Sequence, residues 1–192
     1  MKKIGITGGI GSGKTYVASV FQSLGIPIFN ADIQAKKLMT SSRKLIKLVK
    51  EEFGNDIYKD SDLNKEKLAS IVFSNSDKLQ KLNSLVHPIV KEEFNNWCKK
   101  QTSPYVIKEA AILFESNSHI GLDAVICISA PLDLRMKRLL NRDDYSEKEI
   151  KKRIENQISQ EEKEKLSDYI IVNDEKELLL PKIIKIHKEL LS

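Results

Sequence analysis

Residues 4–15 read IGITGGIGSGKT. A short apolar run of strand type, Ile4 to Ile6, leads straight into a glycine-rich loop. Gly8, four intervening residues and then Gly13-Lys14-Thr15 complete the G-x-x-x-x-G-K-[ST] phosphate-loop pattern. Glycines allow backbone angles closed to other residues, so that several N–H groups can turn inward on one anion. Lys14 offers a point charge for β- and γ-phosphates, and the Thr15 hydroxyl can ligate Mg²⁺. A helix starting near Lys14 aims the positive end of its dipole at the same phosphates. The residues expected to hold the nucleotide are therefore Gly9, Ile10, Gly11, Ser12, Gly13, Lys14 and Thr15. A glycine-rich turn that matches by accident is the alternative. The helix pattern from Tyr16 to Leu24 that follows weighs against it. The loop alone does not separate a kinase from a switch or a motor.

The chain has 192 residues, 41% hydrophobic and 31% charged, which suits a globular α/β domain with insertions. Its net charge of +5 is spread over interspersed acids and bases. Such a balance fits an anionic small substrate as well as nucleic acid. Cys98 and Cys127 lack metal-ligand spacing and fall in apolar surroundings, as expected of buried thiols in a reducing compartment. The phosphate loop begins almost at Met1, leaving no room for a signal peptide. No apolar run approaches the roughly 20 residues that span a bilayer. A cytoplasmic protein that binds no membrane is the expectation.

Beyond the loop, Pro27-Ile28-Phe29 reads as a second strand. It ends at Asn30-Ala31-Asp32, and a helix pattern follows through Leu38. Ligands of open α/β sheets bind at the carboxyl ends of strands, so Asp32 is a candidate general base for a phosphoryl-accepting hydroxyl. It is equally well suited to cap the helix. Residues Ser41 to Lys100 carry no convincing strand. Helices are expected around Leu45–Val49 and Leu68–Phe73, with a polar connection from Asp56 to Asp62. A further helix from Asp77 is expected to end at His87-Pro88, because a residue before proline avoids the α region. Another should run from Ile89 to Lys99. This helical insertion could hold a second substrate, with His87 either touching an anion there or serving the helix end.

Tyr105-Val106-Ile107 is a third strand, and Glu109 falls where it meets the next loop. That is a usual place for an acidic group near Mg²⁺; the alternative is an exposed strand-end glutamate. Ala124 to Ser129, AVICIS, is almost wholly apolar, as in a parallel strand buried on both faces. Tyr169 to Val172 is the last strand and a helix closes the chain. Between these two strands Arg135, Arg138 and Arg142 share one helical face. Asp143-Asp144-Tyr145 breaks the pattern, and Ser146 with Glu149 has the spacing of a capping box. Arg153 and Gln157 are expected one turn apart on the helix it starts. The region reads either as a solvated charged hairpin or as a lid bringing Arg138 and Arg142 onto a transferring phosphoryl group.

Taken together, several motifs resemble the dephospho-CoA kinase family. They are ITGGIGSGKT, Asn30-Ala31-Asp32, LNSLVHP at 82–88 and ILFE at 112–115. Arg138 with Arg142, the RIENQ segment, and SDYIIVN ending at Asn173 complete the set. The resemblance implies a fold like that of nucleoside monophosphate kinases. This is an α/β three-layer P-loop sandwich with a five-stranded parallel sheet, a helical substrate-binding insertion and a helical lid. The implied division is a core of 1–31, 104–131 and 166–192, a cap of 32–103 and a lid of 132–165. The implied reaction is ATP-dependent, Mg²⁺-assisted phosphorylation of the ribose 3′-hydroxyl of dephospho-coenzyme A, the last step of coenzyme A synthesis. The protein would act as a monomer or small homo-oligomer without nucleic acid. Asp32, Lys14, Arg138 and Arg142 would be catalytic. Arg142 and Asn173 would lie by the nucleotide, Asp32, His87, Glu109, Leu113 and Phe114 by the acceptor, and Thr15, with Glu109 possible, by the metal. The family usually has aspartate and proline where this chain has Glu109 and Ala111, and glutamine where it has Arg135. A kinase of another small metabolite, or a nucleotide-dependent switch, would share the loop. The chain has no guanine-reading N-K-x-D segment and no basic stripe studded with aromatics.

Overall fold

The computed structural model describes residues 1–59, 62–73, 75–142 and 146–192, with the side chains of Phe73 and Arg142 outside the description. The chain forms two compact units, Met1–Asn30 with Lys100–Ser192, and Ala31–Lys99.

In the first unit β1 (Lys2–Thr7) leads through the phosphate loop into α1 (Lys14–Ser23), and β2 (Ile28–Asn30) follows. Val17, Ala18 and Phe21 make the buried stripe of α1. The helix stops in a Schellman arrangement: Gly25, at φ 84°, donates to the Gln22 carbonyl, and Ile26 to that of Phe21.

The second unit begins with α2 (Ala31–Ser41) and α3 (Arg43–Phe53), whose first turn is capped by the Ser42 hydroxyl. A single 3₁₀ turn, Asn55–Ile57, precedes β3 (Tyr58–Lys59) and β4 (Asp62–Leu63), which pair antiparallel where no strand was expected. Tyr58 explains part of this. Its ring is buried and its hydroxyl donates to the Met39 carbonyl at 2.7 Å, pinning the segment to α2. Then come α4 (Lys65–Phe73) and α5 (Ser76–Cys98), the latter capped by Asn75.

The expected break at His87-Pro88 does not occur, because α5 runs through Pro88 without interruption. A proline inside a helix loses one hydrogen bond and costs about 3 kcal/mol. Here Val86, Ile89, Val90, Phe94 and Cys98 are buried on both sides of it, and α5 packs against α2, α3 and α4. Burying a large apolar side chain contributes roughly 1.5–3 kcal/mol, so the two flanks together outweigh the local penalty.

The chain returns to the first unit in β5 (Tyr105–Glu109) and β6 (Ala124–Ser129). There follow α6 (Leu132–Arg142), α7 (Glu147–Glu155), α8 (Gln160–Lys165), β7 (Tyr169–Val172) and α9 (Leu179–Leu191). Ser146 and Glu149 form the expected capping box at the start of α7. Residues Asp143, Asp144 and Tyr145, read as the break before it, lie outside the described residues. Gln157 lies just beyond the end of α7 and its C-cap Asn156, whereas the sequence pattern places it on the helix.

The five strands are parallel in the order β2-β5-β1-β6-β7. From β1 the chain builds first to one side and later to the other. The carboxyl end of β1 is therefore the topological switch point, where ligands of such sheets bind. One face is covered by α1 and α9, with Ile4, Ile6, Phe21, Ile107, Ile126, Ile128, Ile171 and Ile183 in one core cluster. On the opposite face α8 lies against β6, completing three layers. Gly5 sits on that face because Leu113 and Leu122 approach to 2.7 and 2.9 Å of where a Cβ would stand. Among the described residues no helix is long and apolar enough to cross a membrane.

Replacing Pro88 by alanine removes the clash and gives the Ser84 carbonyl its i+4 donor. Pro88→Ala is expected to stabilise the protein by about 1–3 kcal/mol, read as a higher urea midpoint. A lower midpoint would contradict a continuous α5.

Candidate active site

The phosphate loop leaves β1 at the switch point, and its carbonyls are bound one after another. Lys14, only 9% exposed, donates from Nζ to the carbonyls of Gly8 and Gly9 at 3.0 and 3.1 Å. Arg135 Nε donates to Ile10 at 2.9 Å, Arg138 to Gly11 at 3.4 Å and Asn173 Nδ2 to Ser12 at 2.8 Å. Each carbonyl from Gly8 to Ser12 is thus held by a side chain. Gly13, at φ 96°, has no room for a side chain, because Asn173 packs directly on it.

Two of these donors, Arg135 and Arg138, come from α6. Arg138 reaches the Asn173 carbonyl and Oδ1, both at 3.2 Å, and forms an ion pair with Glu175 at 3.0 Å. Arg135 is buried, and its guanidinium packs against Gly9. Burial pulls its pKa down, and Glu161 nearby works the other way. Arg142 is the last residue of α6, and its side chain lies outside the described residues.

Thr15, in the first turn of α1, donates from Oγ1 to Glu109 Oε1 at 2.7 Å, and Asn30 Nδ2 donates to Oε2 at 2.7 Å. Glu109 is buried, 4% exposed, so the exposed strand-end reading fails. A hydroxyl and a carboxylate side by side are hard oxygen donors, which suits Mg²⁺. That ion takes one or two protein oxygens and fills its octahedron with phosphate and water. Among the described residues no cluster of three or more His, Cys, Asp or Glu makes a protein-only metal cage.

The amide side of the loop is engaged as well. Gly9 N–H donates to Gln160 Oε1 at 3.2 Å and Ile10 N–H to Gln157 Oε1 at 3.0 Å. The segment bearing both glutamines is anchored by Lys163, which is fully buried. Its Nζ donates to the Ala111 carbonyl at 2.8 Å and to Glu115 Oε1 at 2.7 Å. Glu115 Oε1 also accepts the Ile158 N–H at 3.1 Å.

The other expected residues are placed as follows. Leu113 is fully buried and Phe114 is 7% exposed, its ring 5.1 Å from that of His119. Both are packing side chains of the first unit. In the second unit Asp32 is exposed in the first turn of α2, not the residue that caps it, and His87 lies half-buried within α5 rather than at a helix end.

The dephospho-CoA kinase family model matches residues 2–178. The chain belongs to the dephospho-CoA kinase family. A dephospho-CoA kinase of Bacteroides fragilis is 36% identical over 185 residues, covering 96% of this chain and 90% of the relative. A crystal structure from Thermus thermophilus superposes with a TM-score of 0.83 at 29% identity, covering 99% of this chain and 96% of that one. The dephospho-CoA kinase of Campylobacter jejuni superposes with a TM-score of 0.68 at 27% identity, covering 98% and 97%.

Within this kinase two departures from the family pattern acquire a place. Glu109, longer than the usual aspartate by one methylene, reaches both Thr15 and Asn30. Arg135, which stands for a glutamine, supports the loop from beneath Gly9. Gln160, Lys163 and Glu115 escaped the sequence reading as contributors, and Gln157 was read only as part of the charged hairpin. RIENQ contains Gln157 and ILFE contains Glu115, but nothing local says that these segments meet, and Gln160 and Lys163 carry no such signal.

Cys127 lies on β6 beside this site, with Gln160 Nε2 at 3.3 Å from its sulfur. Burial pushes its thiol up to about 11, against a smaller opposing contribution from the Gln160 hydrogen bond. A raised value keeps the thiol neutral, so this contribution to stability is complete below the ordinary thiol pKa and is lost as pH climbs from there towards about 11. Iodoacetamide at pH 8 is expected to leave Cys127 unmodified in the native protein and to label it in urea, by peptide mass mapping. Rapid native labelling would contradict the buried thiol.

Proposed function

We infer that the protein transfers the γ-phosphoryl group of ATP to the ribose 3′-hydroxyl of dephospho-coenzyme A, giving coenzyme A and ADP. The observation that carries the donor half is the phosphate loop itself. Its carbonyls are tied back by Lys14, Arg135, Arg138 and Asn173. The start of α1 points its amides and dipole the same way. Family membership supports the acceptor.

In the proposed mechanism the loop from Gly9 to Thr15 binds the phosphates of ATP, and Lys14 redirects its ammonium from carbonyls to phosphate oxygens. Asn173, beside Gly13, borders the nucleotide. Thr15 and Glu109 are the residues that would hold Mg²⁺. Mg²⁺, when bound, neutralises charge on the β- and γ-phosphate oxygens. Asp32 orients the 3′-hydroxyl and takes its proton while the new O–P bond forms and the bond to the β-phosphate oxygen of ADP breaks. Arg138, pre-oriented by Glu175 and Asn173, stabilises charge on the group in transfer together with Arg142. His87 serves the acceptor side. The core of 1–31, 104–131 and 166–192, the cap of 32–103 and the lid of 132–165 are the working parts of this scheme. Exclusion of water at closure separates transfer from hydrolysis.

ADP release from MgATP is expected to rise strongly with dephospho-coenzyme A and not with adenosine or AMP, with product carrying a 3′-phosphate by NMR. No stimulation by dephospho-coenzyme A would sink the assignment. Asp32→Asn should lower kcat by roughly 10²–10⁴-fold with little change in KM, and a wild-type kcat would rule Asp32 out as base. Arg138→Ala should cost on the order of 10³-fold in rate if it contacts the transferred group.

A further inference from the structure

Two adjacent amides of the phosphate loop, those of Gly9 and Ile10, already have acceptors. These are the carboxamide oxygens of Gln160 and Gln157, at 3.2 and 3.0 Å. A carboxamide oxygen offers a loop amide the same kind of lone pair that a phosphate oxygen offers, without the charge. Both glutamines flank Ser159, which caps α8 in a capping box with Glu162. Gln160 Nε2 is held in turn by Glu164 at 3.2 Å and Cys127 at 3.3 Å. Lys163 and Glu115 fix the segment from beneath. Removing one partner of a buried pair of this kind leaves an uncompensated charge, so the Lys163–Glu115 contact is costly to break.

We propose that Gln157 and Gln160 form a displaceable plug on the phosphate loop. Nucleotide phosphates compete with the protein's own carboxamides for the amides of Gly9 and Ile10, and phosphate binding releases the segment from Gln157 to Gln160. The proposal rests on the reading that this loop binds the phosphates of ATP. It makes the two glutamines determinants of nucleotide affinity that act by opposing it. Carboxamides suit this task. A carboxylate at either position would hold the amides more firmly and repel phosphate, and an apolar side chain would offer no acceptor. Lys163 and Glu115 are positioning residues in this scheme, since they set where the carboxamides stand.

The test uses the full chain, the non-hydrolysable analogue AMPPNP with Mg²⁺, and isothermal titration. Gln157→Ala/Gln160→Ala is expected to bind the analogue about 3–10-fold more tightly than wild type, the worth of one or two neutral hydrogen bonds removed from competition. Binding of adenosine, which has no phosphate, is expected to stay the same. Unchanged or weaker analogue binding by the double variant would overturn the plug. Failure of the wild type to bind the analogue at all would instead overturn the phosphate-binding reading, and the plug with it. Hydrogen exchange on the wild type gives an answer that does not depend on how the variant folds. Saturating analogue should protect 8–15 and deprotect 156–162. Protection or no change in 156–162 would overturn the proposal.

Discussion

A loop that turns its peptide N–H groups toward a ligand must do something with its carbonyls, because buried backbone groups without partners are costly. Here each carbonyl from Gly8 to Ser12 takes a donor from a side chain: Lys14 twice, then Arg135, Arg138 and Asn173. The donors come from α1, α6 and the end of β7. The loop thus recruits its own scaffold, and three elements far apart in sequence are brought to one point. The same donors are mostly cations, so the groups that shape the backbone also make the site attractive to phosphate.

That arrangement explains why the site was only half legible in the sequence. The motif at Gly8–Thr15, the strand patterns and the Ser146/Glu149 cap are local, with periods or spacings a few residues long. They could be read directly. Gln157 and Gln160 meet the loop across 147 and 151 residues of chain, and no local pattern encodes that. Lys163 lies in a run of alternating charges that reads as a solvated face, yet it is fully buried because Glu115 and the Ala111 carbonyl await it. Arg135 stands where the family usually has glutamine, so the family pattern assigns it no role. Its position against Gly9 follows from the helical face it shares with Arg138, once α6 is laid on the loop.

Two misreadings in the second unit have one origin. Pro88 and the turn-rich stretch around Asp56 are strong local punctuation, and both were given more weight than the packing around them. Val86 and Ile89 are buried on either side of Pro88, and Ile57 and Tyr58 are buried beside the polar stretch. Tertiary burial overrode local preference in both places.

The division of the chain has a consequence for how it is made. The first unit is discontinuous, Met1–Asn30 with Lys100–Ser192, whereas Ala31–Lys99 is a single contiguous stretch. β1 has no partner in the sheet until β5 arrives, Lys2 pairing with Tyr105. On the ribosome the glycine loop therefore emerges before Arg135, Arg138 and Asn173 are translated. The contiguous helical unit can complete itself in that interval. The parallel sheet depends on long-range pairings such as Lys2 with Tyr105, a kind of contact that slows folding.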